Sequence, residues 1–150
     1  MYALLDDQSD ACSIKETTLE KLDVTGPEVQ LKLSTVLAQQ TIPSKKVAGL
    51  VRGIEEKTDI SLPKVYTREL IPTKRSQIPR PDTALKSPHL ESIASCLMPY
   101  RSNVDVGLLI GINCIRAIKP LTVIPGKDDE PYAVKTALGW GVVGILSPNT

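Results

Sequence analysis

Four apolar residues, Tyr2-Ala3-Leu4-Leu5, run straight into three carboxylates within the next five positions, Asp6, Asp7 and Asp10. The run is too short and too β-compatible for a helix, so Ala3 to Leu5 is expected to be a buried strand that delivers a carboxylate at its end. Roughly a hundred residues later, Gly107-Leu108-Leu109-Ile110-Gly111-Ile112-Asn113 supplies a second apolar strand that ends on a glycine.

At 150 residues the chain has the size of a single domain and is large enough to bury a core. Phe is absent and aromatic residues make up 3%, so that core must be aliphatic. Valine, isoleucine and leucine dominate the apolar runs, which favours strands over long helices. The 12 prolines fall mostly between those runs and punctuate loops. With 18 basic and 17 acidic side chains the net charge is +1, which gives no electrostatic case for nucleic acid or an anionic membrane. No apolar run approaches the roughly 20 residues of a membrane span. The first residues lack a basic region followed by an apolar core, so no signal peptide is expected there. Cys12, Cys96 and Cys114 are widely spaced and read as reduced thiols of a cytoplasmic protein.

Ile14 to Leu22 has the apolar spacing of a short helix, and Gly26-Pro27 is a turn. Val29, Leu31 and Leu33 alternate with polar residues as a half-buried strand does, and Val36 to Ala38 is expected to extend it. A polar link, Gln39 to Lys46, leads to a strand at Val47 to Ile54 and a charged turn at Glu55 to Asp59. Ile60 to Tyr66 is a third strand, which Pro63 would confine to a sheet edge, with Leu70-Ile71 continuing it. The whole stretch from Val29 to Ile71 reads as a β-meander. Pro72 to Pro88 is expected to be a loop, followed by a helix that Ser87-Pro88 opens and that turns Leu90, Ile93, Ala94 and Leu97 to one face. Val104 to Ile112 is a strongly apolar strand broken by Gly107 and Gly111, and Val134 to Leu146, with Gly139, Gly141 and Gly144, is strands with a tight bend.

Two carboxylates that share one proton can carry out both halves of peptide hydrolysis, the ionised one taking a proton from water and the protonated one giving a proton to the carbonyl oxygen. One Asp per subunit suffices if two subunits meet on a two-fold axis. Tyr2 to Asp10, Val104 to Asn113 and Thr136 to Gly144 (Thr-Ala-Leu-Gly-Trp-Gly-Val-Val-Gly) together resemble the retropepsin-like aspartic peptidase domain of BEL/Pao-type retrotransposon polyproteins. That domain reads Ala-Leu-Leu-Asp-Ser-Gly-Ser at its active site, then Asp-hydrophobic-Leu-Ile-Gly, then Thr-x-Leu-Gly-Trp near its end. The resemblance covers nearly all of the chain, and the three motifs are specific only in combination.

The resemblance implies a mainly β, closed barrel-like domain with one or two short helices, here without the upstream strands of the family fold and hence a fragment of a longer polyprotein. It implies a homodimeric aspartic endopeptidase acting on an extended peptide or polyprotein, with no cofactor. Asp6 matches the catalytic Asp, and Ile110 and Gly111 match the element that packs behind the active-site loop. Asp7, Ser9 and Asp10 complete that loop. Asp10 falls where related retroviral proteases carry an acid that binds substrate backbone; the Arg that pairs with it there is Ile112 here. Asp7 and Gln8 stand where the family has Ser or Thr and then Gly, with Ser9 offering a hydroxyl one position late. The Gln39 to Lys46 segment is the candidate flap.

The competing reading is a catalytically inactive dimerisation or peptide-binding module on the same fold. Without their partner motifs Asp6, Asp7 and Asp10 read as an acidic, solvent-facing turn ahead of the Ile14 segment. His89, the only histidine, is expected to be exposed at a helix start, and no metal-site spacing exists. Lys74-Arg75 with Arg80 reads as a solvated basic loop without the interleaved aromatics of a nucleic-acid site, and Trp140 as a packing anchor.

Overall fold

Short aliphatic runs separated by proline and glycine fold here as strands. The computed structural model describes residues 1–34 and 38–144. Six strands, β1 (Tyr2–Leu5), β2 (Cys12–Lys15), β3 (Glu28–Ser34), β4 (Gln39–Val51), β5 (Ile60–Arg68) and β6 (Val106–Ile110), form one sheet in the order β1-β6-β2-β5-β4-β3. A second, antiparallel sheet holds β7 (Thr122–Ile124), β8 (Tyr132–Thr136) and β9 (Gly139–Val143). The helices are short: α1 (Glu16–Lys21), α2 (Pro81–Leu85), α3 (Ile115–Ile118) and three 3-10 segments. The protein is therefore mainly β, but the larger sheet is open rather than a closed barrel, with β1 and β3 as its edges.

β6 is inserted between the first two strands, parallel to β1 and antiparallel to β2. With a strand on either side it reads as a near-continuous apolar run, and Gly107 to Ile110 are all buried. Gly107 does not break it: the glycine lets Thr18 of α1 sit directly on the strand. One core cluster lies under this sheet, around Cys12, Ile14, Leu19, Ile60, Val65 and Ile110. A second joins Leu90, Ile93 and Ala94 to Ala133 of the small sheet, with Trp140 packed against it as an anchor.

Several sequence expectations shift. The helix expected from Ile14 starts only at Glu16, because Ser13 and Ile14 pair with Leu109 and Leu108 on one side and with Tyr66 and Thr67 on the other. Tertiary pairing overrides the helical spacing. Gln39 to Lys46 is not a polar link but the first part of a 13-residue strand. Pro43 is tolerated because β5 reaches only Lys46 of β4, leaving the proline paired to β3 alone. Pro63 does not make β5 an edge. It sits just before β2 begins to pair at Val65 and opposite the register shift between Val47 and Gly49, so neither neighbour needs its missing N–H.

β5 ends at Arg68, and Ile71 is buried outside any strand. The Pro72 to Pro88 segment carries a 3-10 turn, Arg75–Gln77, as well as α2. The expected helix after Ser87 is a 3-10 helix, Pro88–Cys96, yet Leu90, Ile93, Ala94 and Leu97 are all buried as the pattern required. The expected bend in Val134 to Leu146 is the Ala137-Leu138 turn between β8 and β9, followed by Gly139 at φ +115°. Ile145 and Leu146, like Val36 and Leu37, lie outside the described residues.

Candidate active site

The end of β1 is tied to the end of β6. The Asp6 amide donates to the Ile110 carbonyl at 2.9 Å, and the Ile112 amide donates back to the Ser9 carbonyl at 2.8 Å. Between these two bonds the chain turns tightly. Ser9 N–H donates to the Asp6 carbonyl at 3.3 Å, and Asp6 Oδ1 accepts the Gln8 amide at 3.0 Å, an Asx turn. The loop from Asp6 to Ala11 thus folds over Gly111. A Cβ added to Gly111 would lie 2.6 Å from both the Ser9 and Ala11 carbonyl oxygens, so glycine is required there by space. Its backbone is extended, at φ −103° and ψ −173°.

The residues singled out from the sequence therefore meet. Asp6 is half-buried at the strand end, over the fully buried Ile110 and over Gly111. Asp6 Oδ2 makes no hydrogen bond among the described residues, which leaves that oxygen open to accept one. Asp7 and Gln8 are exposed at the crest, where Gln8 Nε2 donates to Asp7 Oδ1 at 3.3 Å. The Ser9 hydroxyl is turned into its own loop and donates to the Ala11 carbonyl at 2.9 Å. Asp10 is exposed, and Ile112 is 48% exposed beside the loop.

Behind the loop lies Cys12, buried, with its thiol donating to Asn113 Oδ1 at 3.1 Å. Asn113 in turn donates to the Lys64 carbonyl at 3.4 Å, which fastens the segment after Gly111 to β5. Burial pushes the Cys12 thiol up from its usual range, so it stays protonated and serves as packing rather than as a nucleophile. All three cysteines are free. Among the described residues no group of three or more His, Cys, Asp or Glu is placed to hold a metal ion, and no helix is long and apolar enough to cross a membrane.

A cleft of about 660 Å³ lies away from Asp6, between α1 and the base of the β3–β4 hairpin. Its wall includes Glu16, Glu20, Glu28 and Lys45, and its Ser44 and Thr67 hydroxyls are already bonded to one another at 3.3 Å. Nothing places this cleft near the strand-end carboxylate.

Two basic expectations change. Arg75 is not a solvated loop residue: its guanidinium donates to the Arg101, Ser102 and Val104 carbonyls, to Tyr100 Oη at 2.8 Å and to Asp105 Oδ1 at 3.3 Å. Arg80 lies 3.8 Å over the Tyr100 ring, so aromatic and basic groups do interleave in space, although they occupy one another. Arg75 and Asp105 were not legible as a pair, since they stand 30 positions apart. The available signal was the Asp that heads the Asp105-Val106-Gly107-Leu108-Leu109-Ile110-Gly111 run. His89 is not fully exposed either; its Nε2 lies 2.6 Å from the Pro131 carbonyl oxygen and can only donate there.

Comparison of the chain with protein-family models, with curated proteins and with solved structures gives no match in any of the three.

Proposed function

We propose that the chain is a retropepsin-like aspartic endopeptidase domain of a retrotransposon polyprotein, in which Asp6 of two copies forms a shared carboxylate dyad. One observation carries the reading. A strand-end carboxylate with a free oxygen sits on a tight loop whose floor is Gly111, because β6 is threaded between β1 and β2. That arrangement supports a rigid, half-buried acid that a two-fold axis can duplicate.

In the dyad, the two Asp6 side chains hold one proton between them because like charges at close range do not both ionise. The ionised partner takes a proton from water as it attacks the scissile carbonyl carbon, while the protonated one gives its proton to the carbonyl oxygen. The titration belongs to the pair and not to either residue. The substrate is an extended peptide held by strand addition, cut at sites in the element's own polyprotein. The part of the β3–β4 ribbon ahead of Lys46, where β4 has no β5 partner, holds the Gln39 to Lys46 segment and is the candidate flap. Residues 35–37, between β3 and β4, lie outside the described residues.

A specific observation supports the second reading, an inactive dimerisation or peptide-binding module. The Ser9 hydroxyl is held by Ala11 within its own loop, and Asp7 and Gln8 bond to one another where a hydroxyl and a glycine stand in the family pattern. Cleavage of an unfolded protein in mild acid, with and without a statine-type inhibitor, separates the two. Peptidase activity is expected to be inhibitable and to fall about 10²–10⁴-fold in Asp6→Asn. Cleavage indistinguishable between Asp6→Asn and the unaltered chain overturns the enzyme reading in favour of the binding module.

A further inference from the structure

The geometry points to Asp105 as a positioning residue for Asp6: bridged by Lys15 and Arg75 at the far end of β1, β2 and β6, it sets the register that seats the Asp6 loop on Gly111. The catalytic meaning of this role rests on the proposed function; the structural role does not.

Asp105 gathers four elements. Its carbonyl accepts the Tyr2 amide of β1 at 2.9 Å. Its Oδ2 accepts Lys15 Nζ, at the end of β2, at 3.0 Å, and its Oδ1 accepts Arg75 Nη1 at 3.3 Å, while the residue itself leads directly into β6. Tyr2 is held from two further directions. Its hydroxyl accepts the Arg101 amide at 3.0 Å, and its ring stacks on Tyr100 with centroids 6.4 Å apart. An isolated exposed ion pair contributes little. This carboxylate instead joins two cations from separate segments, and Arg75 is itself fixed by three backbone carbonyls of the same loop.

The β1–β6 pairing needs such a device. Tyr2 faces Val106 but Ala3 faces Leu108, so the ladder skips Gly107 between them. A bulge of this kind leaves a competing register one residue away. Sliding β1 into it would move Asp6 by about 3.3 Å along the strand and away from the Ile110 carbonyl. β1 is a four-residue edge strand with no second neighbour among the described residues to oppose the slip. The Asp105 cluster holds Tyr2 on the correct side of the bulge.

Amide hydrogen exchange followed by NMR tests this directly. In Asp105→Asn, the Tyr2, Asp6 and Ile112 amides are expected to exchange at least about tenfold faster, the sign of a local opening, while Val47 and Val65 keep their protection. Asp105→Glu, which retains the charge, is expected to recover most of the protection at Asp6. Lys15→Met, which leaves the Arg75 pair in place, gives the same pattern at smaller amplitude and serves if Asp105→Asn does not fold. Faster exchange confined to residues 101–105, with Asp6 and Ile112 unchanged, overturns the proposal. The readout needs no catalysis, so an inactive protein with the expected exchange pattern defeats only the peptidase reading. An active one with an unmoved Asp6 amide defeats only the clamp.

Discussion

Gly111 shows how little freedom the loop has. A methyl group there meets two backbone carbonyls at 2.6 Å, and neither can swing aside as a side chain would. Gly111→Ala is therefore expected to destabilise the fold by about 1–3 kcal/mol through overpacking, measurable as a lower urea midpoint with an unchanged slope. Its backbone angles suit any residue, so a full loss of stability would point to something other than space. That Asp6 and Gly111 each close an apolar run was legible from short-range order. Asp105 was not, because its partners stand 90 and 30 positions away and only the fold brings them together. Replacing Asp7→Ser together with Gln8→Gly installs the retropepsin-like pattern at the crest. Under the peptidase reading it is expected to raise kcat/KM for an unfolded substrate, and no change in rate would show that the crest residues do not limit activity.

Among the elements, the β4–β5 junction carries a buried polar knot. Thr67 is 3% exposed, and its Oγ1 accepts the Lys45 amide at 2.8 Å. Ser44 Oγ donates to the Thr67 carbonyl at 2.9 Å. Thr67→Val keeps the shape but leaves the Lys45 N–H without its acceptor, an expected cost of about 1–3 kcal/mol by chemical denaturation. A change below a few tenths of that would mean the amide finds water instead. Strand existence was readable from alternation at Val29, Leu31 and Leu33, and from the unbroken run at Leu108 to Ile110. Strand limits were not. Pro63 read as the mark of an edge strand and Pro43 lay in a segment read as a link, yet each falls where one neighbouring strand is missing or bulged, a fact visible only once the pairing order is known. The open sheet in place of a barrel has the same origin, since alternation specifies faces and not closure.

At the scale of the whole molecule, two measurements follow. The proposed shared dyad requires a dimer, so under that reading sedimentation equilibrium at rising concentration is expected to approach twice the 16.3 kDa of the chain. A mass that stays at one chain at every concentration leaves Asp6 without its second carboxylate. The other concerns acid. The hydrogen bond from Lys15 and then its charge, aided by Arg75 and Lys21 and opposed by desolvation, hold the Asp105 carboxyl below the usual carboxylate range. A carboxyl depressed in the folded state stabilises above its unfolded pKa, near 3.9, and that contribution is lost as pH falls through the lower, folded value. The clamp thus stays ionised in the mild acid where a shared-proton pair works. Asp105→Asn is expected to flatten the acid limb of the stability curve below about pH 4; an unaltered limb would assign it to other carboxylates. The threading of β6 between β1 and β2 also has a kinetic meaning. During synthesis Tyr2–Leu5 is made about a hundred residues before β6, the strand it must lie against. Until then the aspartate turn has no floor, and the backbone edge of Tyr2–Leu5 that β6 will cover stands open to pair with whatever strand it meets.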